Sequence, residues 1–139
     1  MRRAIYAGLT LLLFLPADAL CADAMDELAA IMSGGARHSE SHYQEKWCTE
    51  QKGRAEVVLP DRTRADCLTA SHAVEFDFGP KWAEAIGQAL YYSLQTGKRA
   101  GVVLIIERPK DRRYWIRLNS TIEHFGLPID SWQLKPDLQ

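Results

Sequence analysis

Residues 102–106 read Val-Val-Leu-Ile-Ile, five consecutive apolar side chains of which four are β-branched. Neighbouring side chains on a strand point to opposite faces, so a strand of this composition has to be covered on both. The chain around it must therefore supply helices above and below a sheet. With 139 residues, 47% hydrophobic and 25% charged, it has the composition of one small globular domain and not of a disordered or heptad-repeat protein. A formal net charge of −1 excludes a strongly basic, DNA-coating protein; any affinity for phosphate has to come from a local patch.

The remaining pattern is consistent with that frame. Tyr43, Trp47 and Cys48 fall at helical spacing within residues 41–52, and Gly53 ends the segment. Ala55–Leu59 and Arg64–Leu68 flank Pro60-Asp61-Arg62-Thr63, which reads as a hairpin turn. Ala73–Phe78 alternates Val74, Phe76 and Phe78 with Glu75 and Asp77, placing the two carboxylates on one face of a strand. Gly79-Pro80 breaks the strand, residues 81–96 suit a helix with Pro80 at its start, and Gly97 stops it. After the apolar run, Tyr114–Leu118 reads as a strand, Ser120–Phe125 as a short helix, and Leu127–Leu134 as a loop or terminal strand. The expectation is a single α/β domain with a mixed central β-sheet flanked by helices.

Ahead of this domain, Arg2 and Arg3 precede an apolar run over Ala4–Leu15 that is too short to span a bilayer. Ala17-Asp18-Ala19 and Ala22-Asp23-Ala24 follow, so residues 1–24 read as a secretory signal with cleavage favoured after Ala24, or after Ala22 or Ala19. That implies export to the periplasm or beyond, with no stable membrane insertion afterwards. Residues 25–40, with a short helix around Asp26–Met32 and then Ser33-Gly34-Gly35, read as a flexible lead into a domain over 41–139. Loss of the signal removes Cys21 and leaves Cys48 and Cys67 alone in an oxidising compartment, where a disulfide is the favoured reading. A metal site is the weaker one, since two isolated cysteines do not match zinc spacing.

The residues with chemical potential come in a definite order: Glu45 on the first helix, Asp66 on the second strand, Glu75-Phe76-Asp77 on the third, then Lys81, Gln88 and Tyr92 on the next helix. This order resembles the PD-(D/E)XK nuclease superfamily, and Gln88-Ala89-Leu90-Tyr91-Tyr92 resembles the Q-x-x-x-Y motif of its exonuclease branches. The resemblance implies a restriction-endonuclease-like fold that cuts DNA with Mg²⁺ or Mn²⁺. Asp66 and Glu75 would be metal ligands, the Phe76 carbonyl a further oxygen, and Glu45 an outer acid. Strand carboxylates brought close together suit a hard cation, which polarises a phosphodiester and lowers the pKa of bound water. The chain departs from the family where the motif has lysine: Asp77 stands there. Lys81 is placed to compensate, because residues 81, 88 and 92 share one helical face. The alternative is an exported binding module for nucleic acid or protein that keeps the scaffold without hydrolysis.

A local basic segment completes the inventory. Residues 98–117 carry seven Lys or Arg against Glu107 and Asp111. Arg108, Lys110, Arg112 and Arg113, beside Tyr114 and Trp115, are candidates for a phosphate-backbone surface; a solvated basic loop is the plain alternative.

Overall fold

The computed structural model describes residues 38–135. The signal segment, Cys21 and the helix expected at Asp26–Met32 lie outside the described residues. Within them the chain forms α1 (Glu40–Glu50), β1 (Arg54–Val58), β2 (Arg64–Leu68), β3 (His72–Phe78), α2 (Trp82–Thr96), β4 (Arg99–Ile105), α3 (Arg112–Phe125) and β5 (Ile129–Leu134). The five strands form one sheet in the order β1-β2-β3-β4-β5. The β1–β2 and β2–β3 pairs are antiparallel, and β3–β4 and β4–β5 are parallel. The sheet is therefore mixed and covered by helices, as expected.

The apolar run sits where it has to. β4 is the sheet's second strand from one edge and is buried from Ala100 onward. Val102 and Leu104 face α2 and α3, packing with Ala85, Ala89 and Leu118. Val103 faces the other way, into a layer with Val74, Phe76, Cys48 and Cys67 under α1. Alanines at 85 and 89, one helical turn apart, let α2 lie close against the sheet. Gly97 caps α2 at φ 67°, a left-handed conformation that glycine adopts without a Cβ clash.

One expectation is overturned. Tyr114–Leu118 is not a strand but part of α3, which runs unbroken from Arg112 to Phe125. The order is therefore helix, hairpin, strand, helix, strand, helix, strand. The aromatic and β-branched residues there suggested a strand by composition, whereas Tyr114, Trp115, Leu118 and Ile122 together form a helical stripe that packs onto the core. Burial of that stripe outweighs intrinsic preference, which differs by less than about 1 kcal/mol per residue. Leu127–Leu134 then supplies the fifth strand, parallel to β4.

The disulfide is formed. Cys48 of α1 joins Cys67 of β2, 19 residues apart, and both are almost completely buried. A Cβ on Gly53 would come within 2.8 Å of either sulfur, so the tight turn after α1 requires glycine for space. No described helix is long and apolar enough to cross a membrane.

Candidate functional site

The site is built where two strands part. β2 and β3 pair at Cys67–Val74 and Leu68–Ala73. Beyond that point the Asp66 side chain interrupts the ladder: its Oδ2, and not a backbone carbonyl, accepts the Phe76 N–H at 2.8 Å. Gln44, buried on α1, donates from Nε2 to the Asp66 carbonyl at 2.6 Å and to Glu56 Oε1 at 2.7 Å. Asp66 is thus fixed through both its carboxylate and its own backbone.

Glu75 and Asp77 keep the alternation expected from the sequence, and their face turns toward α2. Only 5% of Glu75 and 2% of Asp77 remain exposed. Groups buried this deeply ordinarily find hydrogen-bond partners, yet Glu75 Oε2 and Gln88 Oε1 have none, and Asp77 Oδ1 has no hydrogen bond beyond its ion pair with Lys81. Lys81 Nζ stands 3.4 Å from Asp77 Oδ1, forming an ion pair with a largely exposed lysine. Pro80 opens the short 3₁₀ turn Gly79–Lys81 that carries the chain from Asp77 to this lysine.

These groups line a cleft of about 400 Å³ in which the electrostatics favour protons. Burial, reinforced by the charges of Asp66 and Asp77, pushes the Glu75 carboxyl up to about 10. Burial also raises Asp77, against the pull of Lys81, to about 7. Asp66 is raised by burial although the Phe76 N–H works the other way. Glu40 is raised by burial and by the Asp66 charge. The Asp77 charge raises Lys81, keeping it cationic. Burial and the Glu75 charge push Tyr92 up to about 12. A neutral Glu75 beside Asp66 is the state this environment selects in the absence of another positive charge.

Asp66, Glu75, Asp77, Lys81, Gln88 and Tyr92 all line the cleft. Glu45 does not: it is exposed on α1. Glu40 takes the helix-acid place. The disulfide fixes the face that Cys48 presents, and Gln44 and Glu40 lie four and eight residues before it on that same face. Glu45, one residue past Gln44, is turned about 100° away. The 40-44-48 spacing was the signal, visible once Cys48 is taken as the inward anchor. Gln44, which locks Asp66 in place, was likewise not among the expected residues.

The basic segment lies beside the same site. Tyr114 packs against Gly79, where a Cβ would come within 2.8 Å of its ring, so the first turn of α3 abuts the 3₁₀ turn leading to Lys81. Lys110, Arg112 and Arg113 are exposed there. Arg113 and Arg117 lie over the Tyr114 ring, at 4.8 and 5.6 Å from its centroid. Arg108 differs from the other three candidates, because its guanidinium is engaged by the buried Asp111 at 3.1 Å.

No family model, curated protein or solved structure matches this chain.

Among the described residues, no three His, Cys, Asp or Glu side chains already stand at metal-ligand spacing. The donor chemistry does fit: the carboxylates of Asp66, Glu75 and Asp77 offer oxygen, Glu75 Oε2 lacks a partner, and hard cations take such ligands. A cation would also offset the desolvation and mutual repulsion that now protonate Glu75.

Proposed function

We propose that the chain is an exported nuclease of the PD-(D/E)XK kind, hydrolysing phosphodiester bonds in DNA with Mg²⁺ or Mn²⁺ held by Asp66 and Glu75. The observation that supports this most is the convergence of Asp66, Glu75 and Asp77 from two parting strands with Lys81, Gln88 and Tyr92 from the following turn and helix. The buried Cys48–Cys67 disulfide supports export to an oxidising compartment. When bound, the cation supplies an activated water and positive charge at the phosphate.

The protein's own residues do the rest. Asp66, anchored by Phe76 and Gln44, presents a carboxylate that cannot swing away. Glu75 would hold the cation together with Asp66, and would give up its proton to do so. Lys81 places a permanent cation at the mouth of the cleft, where it offsets phosphate charge. Gln88 and Tyr92 form the α2 wall and position the strand, while Lys110, Arg112 and Arg113 follow its backbone.

The experiment is DNA cleavage by the purified chain with Mg²⁺ or Mn²⁺. Glu75→Ala should abolish cutting while leaving the fold, and Lys81→Ala should slow cutting while leaving metal binding intact. No cutting of DNA or RNA across metals and pH would reject the enzyme. One observation favours the second reading, a binding module without hydrolysis: Asp77 occupies the place of the motif lysine and engages Lys81, the substitute on the following turn. DNA binding without cleavage, with Asp77→Lys restoring cleavage, would select it.

A further inference from the structure

A second cluster lies on the opposite face of the sheet, at the other end of β3. Thr69, Ala70, Ser71 and His72 make the tight turn from β2 into β3, closed by the Thr69 N–H donating to the His72 carbonyl at 2.9 Å. The His72 imidazole, whose side chain is only 14% exposed, has a partner on each nitrogen. Nε2 lies 2.7 Å from Asp130 Oδ2 on β5, and Nδ1 lies 2.8 Å from Ser71 Oγ.

The proton positions follow from the chemistry of the partners. An ionised carboxylate only accepts, so Nε2 carries the hydrogen in this pair. In the neutral imidazole Nδ1 then holds the lone pair, and Ser71 O–H is the donor to it. This is the polarity needed to take a proton from a serine hydroxyl.

The tip is also held still. Thr69 Oγ1 accepts the N–H groups of Ser71 and His72 at 3.3 and 2.9 Å. The Ser71 carbonyl accepts the Arg99 N–H at 3.0 Å, and the Ala70 carbonyl accepts from Lys98 Nζ at 2.8 Å. Arg99 also pairs with Asp130, through the same Oδ2 that faces His72, and so helps to fix that carboxylate. Ser71 itself is exposed. A cleft of about 420 Å³ lies past Lys98, Arg99 and Asp130, which line it together with Ser93, Leu127 and Pro128; Ser71 and His72 do not line it and are linked to it through those three charged residues. It combines an apolar wall with two cations, one of them held at the residue before Ser71.

We infer that Ser71, His72 and Asp130 form an acyl-transfer site for short-chain carboxylic esters, independent of the carboxylate cleft on the other face. Ser71 Oγ bonds to the ester carbonyl carbon as its proton passes to His72 Nδ1. The bond to the alcohol breaks, and the departing oxygen takes that proton. Water then attacks the acyl-serine, its proton passing through Nδ1 back to Oγ, and the carboxylic acid leaves. Lys98 supplies positive charge toward the carbonyl oxygen. Asp130 is a positioning residue that holds the Nε2 tautomer.

The test uses the full folded chain in EDTA, which silences any metal-dependent activity, with a fluorophosphonate probe and p-nitrophenyl acetate. Expected is one phosphonyl adduct per chain at Ser71, mapped by peptide mass, together with ester turnover. Ser71→Ala should remove both. His72→Gln should slow labelling about 100-fold or more, the usual size of a lost general base. Asp130→Asn should slow it at least about tenfold and shift its pH profile, which loss of stability alone would not do. Absence of an adduct at Ser71 in folded wild type, or equal labelling rates in wild type and folded His72→Gln, would overturn the inference. Should His72→Gln not fold, Ser71→Cys decides: its thiol should react with iodoacetamide at pH 7 at least tenfold faster than an exposed cysteine placed at Ser120, and equal rates would overturn it. Failure of DNA cleavage leaves this result untouched.

Discussion

Replacing Glu75 by Gln tests the electrostatic account of the cleft without relying on activity. The substitution keeps the shape and polarity of the side chain and removes its ionisation. In the unfolded chain Glu75 ionises near 4.5, whereas in the fold its carboxyl is held up to about 10. A group raised in this way stabilises fully below its unfolded value, and that contribution is lost as pH climbs toward the folded one. The loss amounts to about 1.4 kcal/mol per pH unit. Between pH 4.5 and 7 it comes to about 3 kcal/mol for Glu75. In chelator, wild type should weaken steadily over this interval, with Asp77, raised to about 7, adding to the slope. Glu75→Gln should be more stable than wild type at pH 7 by up to about 3 kcal/mol and should lose that advantage near pH 4.5. The assay is denaturant unfolding followed by tryptophan fluorescence, disulfide intact, at several pH values. Millimolar Mg²⁺ or Mn²⁺ should stabilise wild type increasingly as pH rises and leave Glu75→Gln nearly unchanged. Parallel pH curves for the two proteins would refute the reasoning.

Other perturbations have equally definite outcomes. Arg112 and Arg113 occupy the first turn of α3, where the helix dipole disfavours cations by about 0.3–1 kcal/mol each. Changing both to Glu should therefore stabilise the fold while weakening DNA binding and lowering its salt slope, as seen by thermal melts and fluorescence anisotropy. Gly87 is exposed in the middle of α2 with nothing within 4 Å of an added Cβ. Gly87→Ala should stabilise by about 0.8 kcal/mol in denaturant titrations. Cys48 and Cys67 are nearly inaccessible, so dithiothreitol should leave the native protein oxidised, as read by alkylation and mass, until denaturant is added. The double Cys→Ala variant should lose about 3 kcal/mol.

Local patterns in the sequence were good guides wherever one period dominated. The alternation through Val74, Phe76 and Phe78, the Gly79-Pro80 break and the Gly97 stop placed β3 and α2 almost to the residue. The same elements carried Glu75, Asp77, Lys81, Gln88 and Tyr92 into one cleft. Tyr114–Leu118 misled because its residues favour strands while its spacing serves a helix, and only contact with Leu118's partners decides between them. Glu45 was misplaced because three glutamates on α1 look alike until the disulfide sets the helix rotation. The Asp66–Gln44 lock joins residues 22 apart, and the Ser71–His72–Asp130 chain joins residues 58 apart. Such distances in sequence leave no periodic trace.

The sheet's strand order coincides with its order along the chain. A polypeptide delivered N-terminus first, from a ribosome or through a narrow pore, therefore never has to hold an edge open for a strand inserted later between two others. Each strand adds to the rim its predecessor has just formed, and the helix linking each parallel pair emerges in time to cover the new surface. Both cysteines emerge within the first half of the chain, so α1 can be covalently tied to β2 before β4 exists. The growing edge is β3, then β4, then β5, which makes vectorial assembly a property of the topology itself.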